Sequence, residues 1–163
     1  MIVASLPDSR ASADGLTFRV AAAADLPQLA SWNKQLIEDE GHDNTMSLEE
    51  LAVRMRNWLA TEYQALIFED PAAPAPVAYA LVRDTPEWVH LRQFFVARDR
   101  RRRGIGARAV ALLRDSVFPP DKPVIVEAMA WNHRALSFWR AVGFADRYVG
   151  LESRPAASVR RPC

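Results

Sequence analysis

The chain has 163 residues, half of them hydrophobic and a quarter charged, which suits one domain with a substantial core. Its 21 basic and 20 acidic residues leave a formal net charge of +1. That balance argues against a dedicated nucleic-acid binder, whose surface carries a clear positive excess.

Cys163 is the only cysteine, so no disulfide is expected within the chain. His42, His90 and His133 show no ligand spacing, and no metal site is expected. No apolar run approaches bilayer length, and the N-terminal stretch is too polar after Leu6 for a signal peptide. A soluble, cytoplasmic protein without a membrane partner is the expectation.

In chain order, residues 1–14 read as a flexible arm interrupted by Pro7. LTFRV (Leu16–Val20) suits a strand. The next stretch reads as a helix to Glu40, with Asp25 as cap, Pro27 in the first turn and Gly41 as the stop. A second helix starts at Ser47, where Ser47 and Glu50 form a capping box. Strands are expected at 63–69, 77–84 and 87–96, the first two joined by the proline-rich turn DPAAPAP. A third helix runs from Gly104 to Phe118, followed by the strand VIVEAMA (Val124–Ala130). Asn132 caps a fourth helix, Gly143 closes it, and FADRYVGLE (Phe144–Glu152) reads as a last strand. Residues 153–163 read as a flexible tail. Trp32, Trp58 and Trp88 read as core packing. Consecutive strands imply antiparallel pairing early, and the strand-helix-strand unit 87–130 implies a parallel pair later. The fold class is α/β (α+β), a mixed sheet with helices on its faces.

The chemistry concentrates at RDRRRRGIGARAV (Arg98–Val110), where five arginines precede two glycines at a helix start. A helix N-terminus offers unpaired N–H groups and the positive end of its dipole. Gly104 and Gly106 bare the backbone there at a cost of about 1 kcal/mol each relative to alanine, and a phosphate oxygen can then approach the amides. A Walker A loop would need lysine and Ser or Thr after the second glycine, where Ala107 and Arg108 stand. The dinucleotide fingerprint would need an acidic residue about 20 residues further on, but Asp121 lies in a proline-rich turn.

RRRGIG (Arg101–Gly106) resembles the acetyl-CoA signature Q/R-x-x-G-x-G/A of the GNAT N-acetyltransferase family. NHRALSFWRAVGF (Asn132–Phe144) is similar to the family's N-x-x-A-x-x-F-Y-x-x-x-G-F segment, matching at Asn132, Ala135, Phe138, Gly143 and Phe144. The resemblance covers residues 15–152. It implies a six- to seven-stranded mixed sheet with splayed central strands and about four helices. Acetyl-CoA would be the co-substrate, its pyrophosphate on Arg101, Arg102, Arg103, Gly104, Ile105, Gly106 and Ala107. Its pantetheine arm would lie along Phe95 and Val96, with Asn132, Ala135, Phe138 and Trp139 on the opposite wall.

The resemblance also points to Glu127 as the base, since a glutamate stands there in the branch that acetylates ribosomal-protein N-termini. Alternation puts Glu127 on a face with Ile125 and Met129, so poor solvation and a raised pKa are expected. His90 occupies the position of the histone-acetyltransferase glutamate. The family's tyrosine is Trp139 here, and an indole N–H supplies no proton; Tyr148 or water would replace it, or the thiolate would leave unaided.

The first two helices would roof the acceptor. Glu38, Asp39, Glu40 and His42 there suit a small cationic primary amine. Alternatives are a non-catalytic acyl-CoA-binding or sensing module, and a protein N-terminal or lysine acetyltransferase. Family members often pair, so a homodimer is the analogous expectation.

Overall fold

Two strands of this chain are apolar on both faces, which requires helices above and below them. In the computed structural model, which describes residues 10–11 and 15–153, that is the arrangement. The other residues of the expected arm and residues 154–163 of the expected tail lie outside the described residues.

The elements are β1 (Arg10–Ala11), β2 (Thr17–Val20), α1 (Leu26–Glu40), α2 (Leu48–Leu59), β3 (Tyr63–Glu69), β4 (Ala78–Asp84), β5 (Val89–Val96), α3 (Ile105–Ser116), β6 (Val124–Val126) and α4 (His133–Ala141). The strands form one sheet in chain order, β1 to β6. Neighbours are antiparallel up to β5, and β6 lies parallel to β5. Ala65 and Ile67 of β3, with Tyr79 and Leu81 of β4, pack toward Leu29, Trp32 and Met55 of α1 and α2. The alternating residues Leu66, Phe68, Ala80 and Val82 meet Ile105, Ala109, Leu113 and Trp139 on the other side. Among the described residues no helix is long and apolar enough to cross a membrane.

The helix ends follow local chemistry. Ser47 Oγ accepts from Glu50 N–H while the Glu50 carboxylate accepts from Ser47 N–H, at 3.2 and 2.7 Å. Gly41 ends α1 in the left-handed region at φ 61°, with His42 N–H on Ile37 O. Asn132 Oδ1 accepts from Ala135 N–H at the start of α4. Asp25 differs from expectation. It is helical and makes no side-chain cap to α1; its carboxylate instead accepts from Ala22 N–H and from Arg19.

Four further expectations are corrected. A two-residue strand, Arg10–Ala11, pairs with β2 inside the stretch read as an arm. β6 stops at Val126 rather than Ala130, because a turn from Met129 to Asn132 redirects the chain into α4. Phe144–Glu152 forms no strand: Asp146 is tied back to Arg140 of α4 at 2.6 Å, and Val149 and Leu151 are exposed. Trp88 is also exposed rather than core.

The Arg19 guanidinium holds the Asp25 carboxyl below its ordinary value of 3.8, against the opposing effect of burial. The unfolded chain therefore takes up this proton first as pH falls, and the pair's contribution is lost in acid. Asp25→Asn should cost about 1 kcal/mol at pH 7 in urea denaturation. The gap to the wild type should narrow progressively below about pH 4.

Candidate functional site

The site begins where two strands part. β6 pairs with β5 only at Val89, His90 and Leu91. The next residue, Arg92, is a bulge: Leu91 pairs with Val82 and Gln93 with Leu81, leaving Arg92 no partner on β4. Beyond it β5 runs on to Val96 while the other chain turns away. The opening is a cleft of about 760 Å³, walled by β5, the loop into α3, the chain after β6, α4 and the end of α1.

Its far end is the N-terminus of α3. Gly104 caps the helix at φ 76°, so Ile105, Gly106 and Ala107 present first-turn amides that no intrahelical carbonyl can accept. All three line the cleft. A Cβ on Gly104 would point into open space. Gly106 has a second role that its motif does not reveal: a Cβ there would stand 3.0 Å from Phe138 Cε2. The missing side chain lets α4 close against α3. Arg102 adopts φ 64°, a left-handed conformation unusual for a residue with a side chain.

The arginines divide by partner. Arg98 bonds Asp39, Glu38 and the Gln35 carbonyl, and Arg100 pairs with Asp99. Arg101 bonds Asp39, lies over the Phe95 ring and donates from Nε to Val96 O at 2.9 Å. Ala97 N–H bonds the carbonyl of Val77, just ahead of β4, so across the trans peptide the Val96 carbonyl points the opposite way, into the cleft. Arg101 therefore occupies a carbonyl that the resemblance assigned to the pantetheine arm. Arg102 lines the cleft without an ion pair among the described residues, whereas Arg103 lies behind it, beside Asp70 and Ile105. Arg134, from the first turn of α4, faces the same cleft; sequence reasoning missed it because its place on the helix reads as solvated surface. Asn132, Ala135, Phe138 and Trp139 line the α4 wall. Trp139 is buried in an aromatic cluster with Phe94, Phe138 and Phe144.

The model of the acetyltransferase (GNAT) family matches residues 29–144, well over half of the chain. The chain belongs to the GNAT acetyltransferase family. No curated protein sequence matches it. Among solved structures, it is similar to a point mutant of the BH1408 protein from Bacillus halodurans, with TM-score 0.68 and 18% identity over 85% of this chain and 98% of that one. A predicted acetyltransferase from Clostridium acetobutylicum, solved with acetyl-CoA, gives TM-score 0.64 and 20% identity over 85% and 96%. Aminoglycoside N-acetyltransferase AAC(6')-Iy in complex with CoA gives 0.67 and 14% over 91% and 96%. At such identities the likeness speaks for the fold.

The three candidate catalytic residues of this GNAT protein lie in one chain of contacts. Tyr148 OH donates to Glu127 Oε1 at 2.9 Å, and Glu127 Oε2 lies 3.8 Å from His90 Nε2. His90 Nδ1 is 2.9 Å from Tyr63 OH. Tyr63 was not found from sequence, although register places it on the same row as His90, through Arg83. Only Glu127 of the three lines the cleft. It is not poorly solvated as expected: its side chain is 64% exposed, because β6 ends one residue earlier. Burial lowers the His90 pKa, with Arg92 and Arg83 adding to the effect and Glu127 opposing it; the ring is neutral at pH 7. The Glu127 bond raises the Tyr148 phenol, so it stays a proton-bearing donor.

The acceptor residues separate too. Glu38 is tied to Arg98 outside the cleft. Burial works against the Asp39 charge, but bonds from Arg98 and Arg101 outweigh it and hold the carboxyl below its ordinary range. His42 accepts from Asn44 N–H in the loop after α1 and does not reach the cleft. Glu40 does reach it, and burial raises its pKa. Trp131, in the turn before α4, is tied to the end of α1, donating from Nε1 to the Glu40 carbonyl at 2.9 Å. Among the described residues no three His, Cys, Asp or Glu side chains converge as a metal site.

Gly106→Val should force Phe138 off α3 and destabilise by about 1–3 kcal/mol. In urea denaturation the cost should be less than additive when combined with Phe138→Ala, since the second change removes the obstruction. Gly104→Ala should cost about 1 kcal/mol through its left-handed backbone alone.

Proposed function

We propose that the protein transfers the acetyl group of acetyl-CoA to the primary amine of a small molecule, by direct attack on the thioester. The observation that carries this is the single cleft with a bared helix N-terminus at one end and Glu127 on its wall. The Ile105, Gly106 and Ala107 amides suit the pyrophosphate, with Arg102 and Arg134 adding charge from both sides. The edge of β5 beyond Leu91 has no strand beside it, which suits an extended pantetheine arm. There the arm meets Arg101 on the Val96 carbonyl and either yields that acceptor or displaces the guanidinium.

An amine near pKa 10 is almost wholly protonated at neutral pH, so a base must take one proton before it can attack and a second as the amide forms. Glu127 is the base in this reading. Neutral His90 sits behind it without competing for its charge, and Tyr148 orients one oxygen. Glu127, exposed at the rim, takes the ammonium proton and passes it to solvent. The neutral amine then forms the C–N bond as the C–S bond breaks, its second proton passes to Glu127, and CoA leaves as thiolate. Trp139 offers no proton, and a thiol of pKa about 8.5 needs none. Trp139 also supports a second reading, binding of acyl-CoA without turnover, which the same assay separates.

In a thiol-release screen over amino acids, polyamines, aminoglycosides and peptide N-termini, at least one amine should release CoA. Tight CoA binding with no turnover on any of them would favour the second reading. Glu127→Gln should lower kcat by about 10² or more while leaving CoA affinity unchanged. Protonated His90 would pair with Glu127 and make it a poorer base. Activity should therefore fall as pH drops through the lowered His90 pKa, below its ordinary 6.5, and His90→Gln should remove that limb.

A further inference from the structure

Three arginines from three elements meet beside the catalytic chain. Arg92, the bulge residue of β5, lines the cleft, and its guanidinium lies 4.6 Å from the Trp58 ring centroid and 5.8 Å from that of Tyr63. Arg54 of α2 covers the same Trp58 ring at 4.7 Å, and Arg83 of β4 covers Tyr63 at 5.0 Å. None of the three forms a salt bridge among the described residues. Arg54 Nε and Arg83 Nε are buried and make no hydrogen bond.

This is a costly arrangement. A buried donor left unsatisfied costs about 1–3 kcal/mol, and the like charges repel. Burial first, then the charge of Arg92, lowers the pKa of Arg54. The contrast with other cations is direct: Arg19, Arg98, Arg101, Lys122 and Arg140 all have carboxylate partners. The aromatic faces offset some of the cost, yet they supply no hydrogen-bond acceptor. The nearest acids serve elsewhere: Glu127 faces His90 and Tyr148, and Glu40 stands on the α1 wall. The Tyr79 phenol feels both Glu40 and Arg54, and its bonding partner Gln93 lines the cleft. The arginine group thus adjoins the cleft floor.

We propose that Arg92, backed by Arg54, forms an anion subsite at the acceptor end, and that the acceptor is an amine carrying a carboxylate, as a free amino acid does. The inference rests on the acetyl-transfer reading for the amine and adds the class of molecule that bears it. A planar guanidinium fork matches a carboxylate in two parallel bonds. The amine of such a zwitterion, a short covalent distance away, then faces Glu127 on the chain after β6. The carboxylates expected to attract a purely cationic acceptor are, at Glu38 and Asp39, already neutralised by Arg98 and Arg101. Arg92 and its neighbours Arg54 and Arg83 remain there without a carboxylate partner among the described residues, facing Glu40 and Glu127 across the cleft.

The test compares each amino acid with its own carboxamide, which keeps the amine and removes the charge. The wild type should favour the carboxylate by roughly 10- to 100-fold in kcat/KM. Arg92→Gln should erase that preference through KM with little change in kcat, and Arg92→Lys should retain part of it. Equal or better turnover of carboxamides or polyamines, or a preference that survives Arg92→Gln, would overturn the subsite. Binding of N-acetylalanine, with N-acetylalanine amide as control, is measured by calorimetry in parallel and needs no turnover. Binding of the acid alone, abolished by Arg92→Gln, would uphold the subsite even if no amine were acetylated; no binding of the acid would overturn it.

Discussion

The separation of β5 from β6 is the constraint on which the site depends. Parallel strands would ordinarily stay in register and bury the Phe94–Val96 edge. Here pairing lasts three residues, the Arg92 bulge bends one strand, and the Met129–Asn132 turn draws the other into α4. The features of the cleft follow from that divergence. It exposes a strand edge, leaves Glu127 on a rim, and opens the route to the first turn of α3. The helices keep the gap from closing. Gly106 admits Phe138 so that α3 and α4 form one wall, while α1 closes the other side through Asp39.

Charge is partitioned along this cleft rather than spread over it. Around the α3 loop, arginines on the α1 side are neutralised by Asp39 and Glu38, and Arg102 and Arg134 remain open on the cleft side. A near-neutral chain thus keeps two local positive regions, one at the helix N-terminus and one around Arg92. Between them lies Glu127, exposed on the wall of the cleft. Low overall charge and strong local fields are compatible because most ion pairs here cancel within a few ångströms.

What the sequence disclosed was what short-range physics decides. Ser47 with Glu50, Gly41, Asn132 and Gly143 each end or begin a helix through contacts within a few residues, and all were legible. So were the glycines ahead of α3 and the alternation of β3 and β4. Long-range facts were not. The Arg98–Asp39 pair joins residues 59 apart, so nothing local warned that these acids were already committed. Glu127 was read as buried because alternation assumes that a strand continues, and β6 stops at Val126. The expected last strand lost to the Arg140–Asp146 pair, which turns the chain toward α4. Arg92 and Arg54 carried no local signal at all; only the fold places Trp58 beneath both and Tyr63 beside Arg92.

Arg101 has a further consequence through its bond to the Val96 carbonyl. A strand edge left open inside a cleft is a template on which any extended peptide can dock and initiate aggregation. The guanidinium satisfies the outermost acceptor on that edge and sets a bulky charge across it. One side chain thereby blunts an edge that would otherwise be open to unwanted β-pairing.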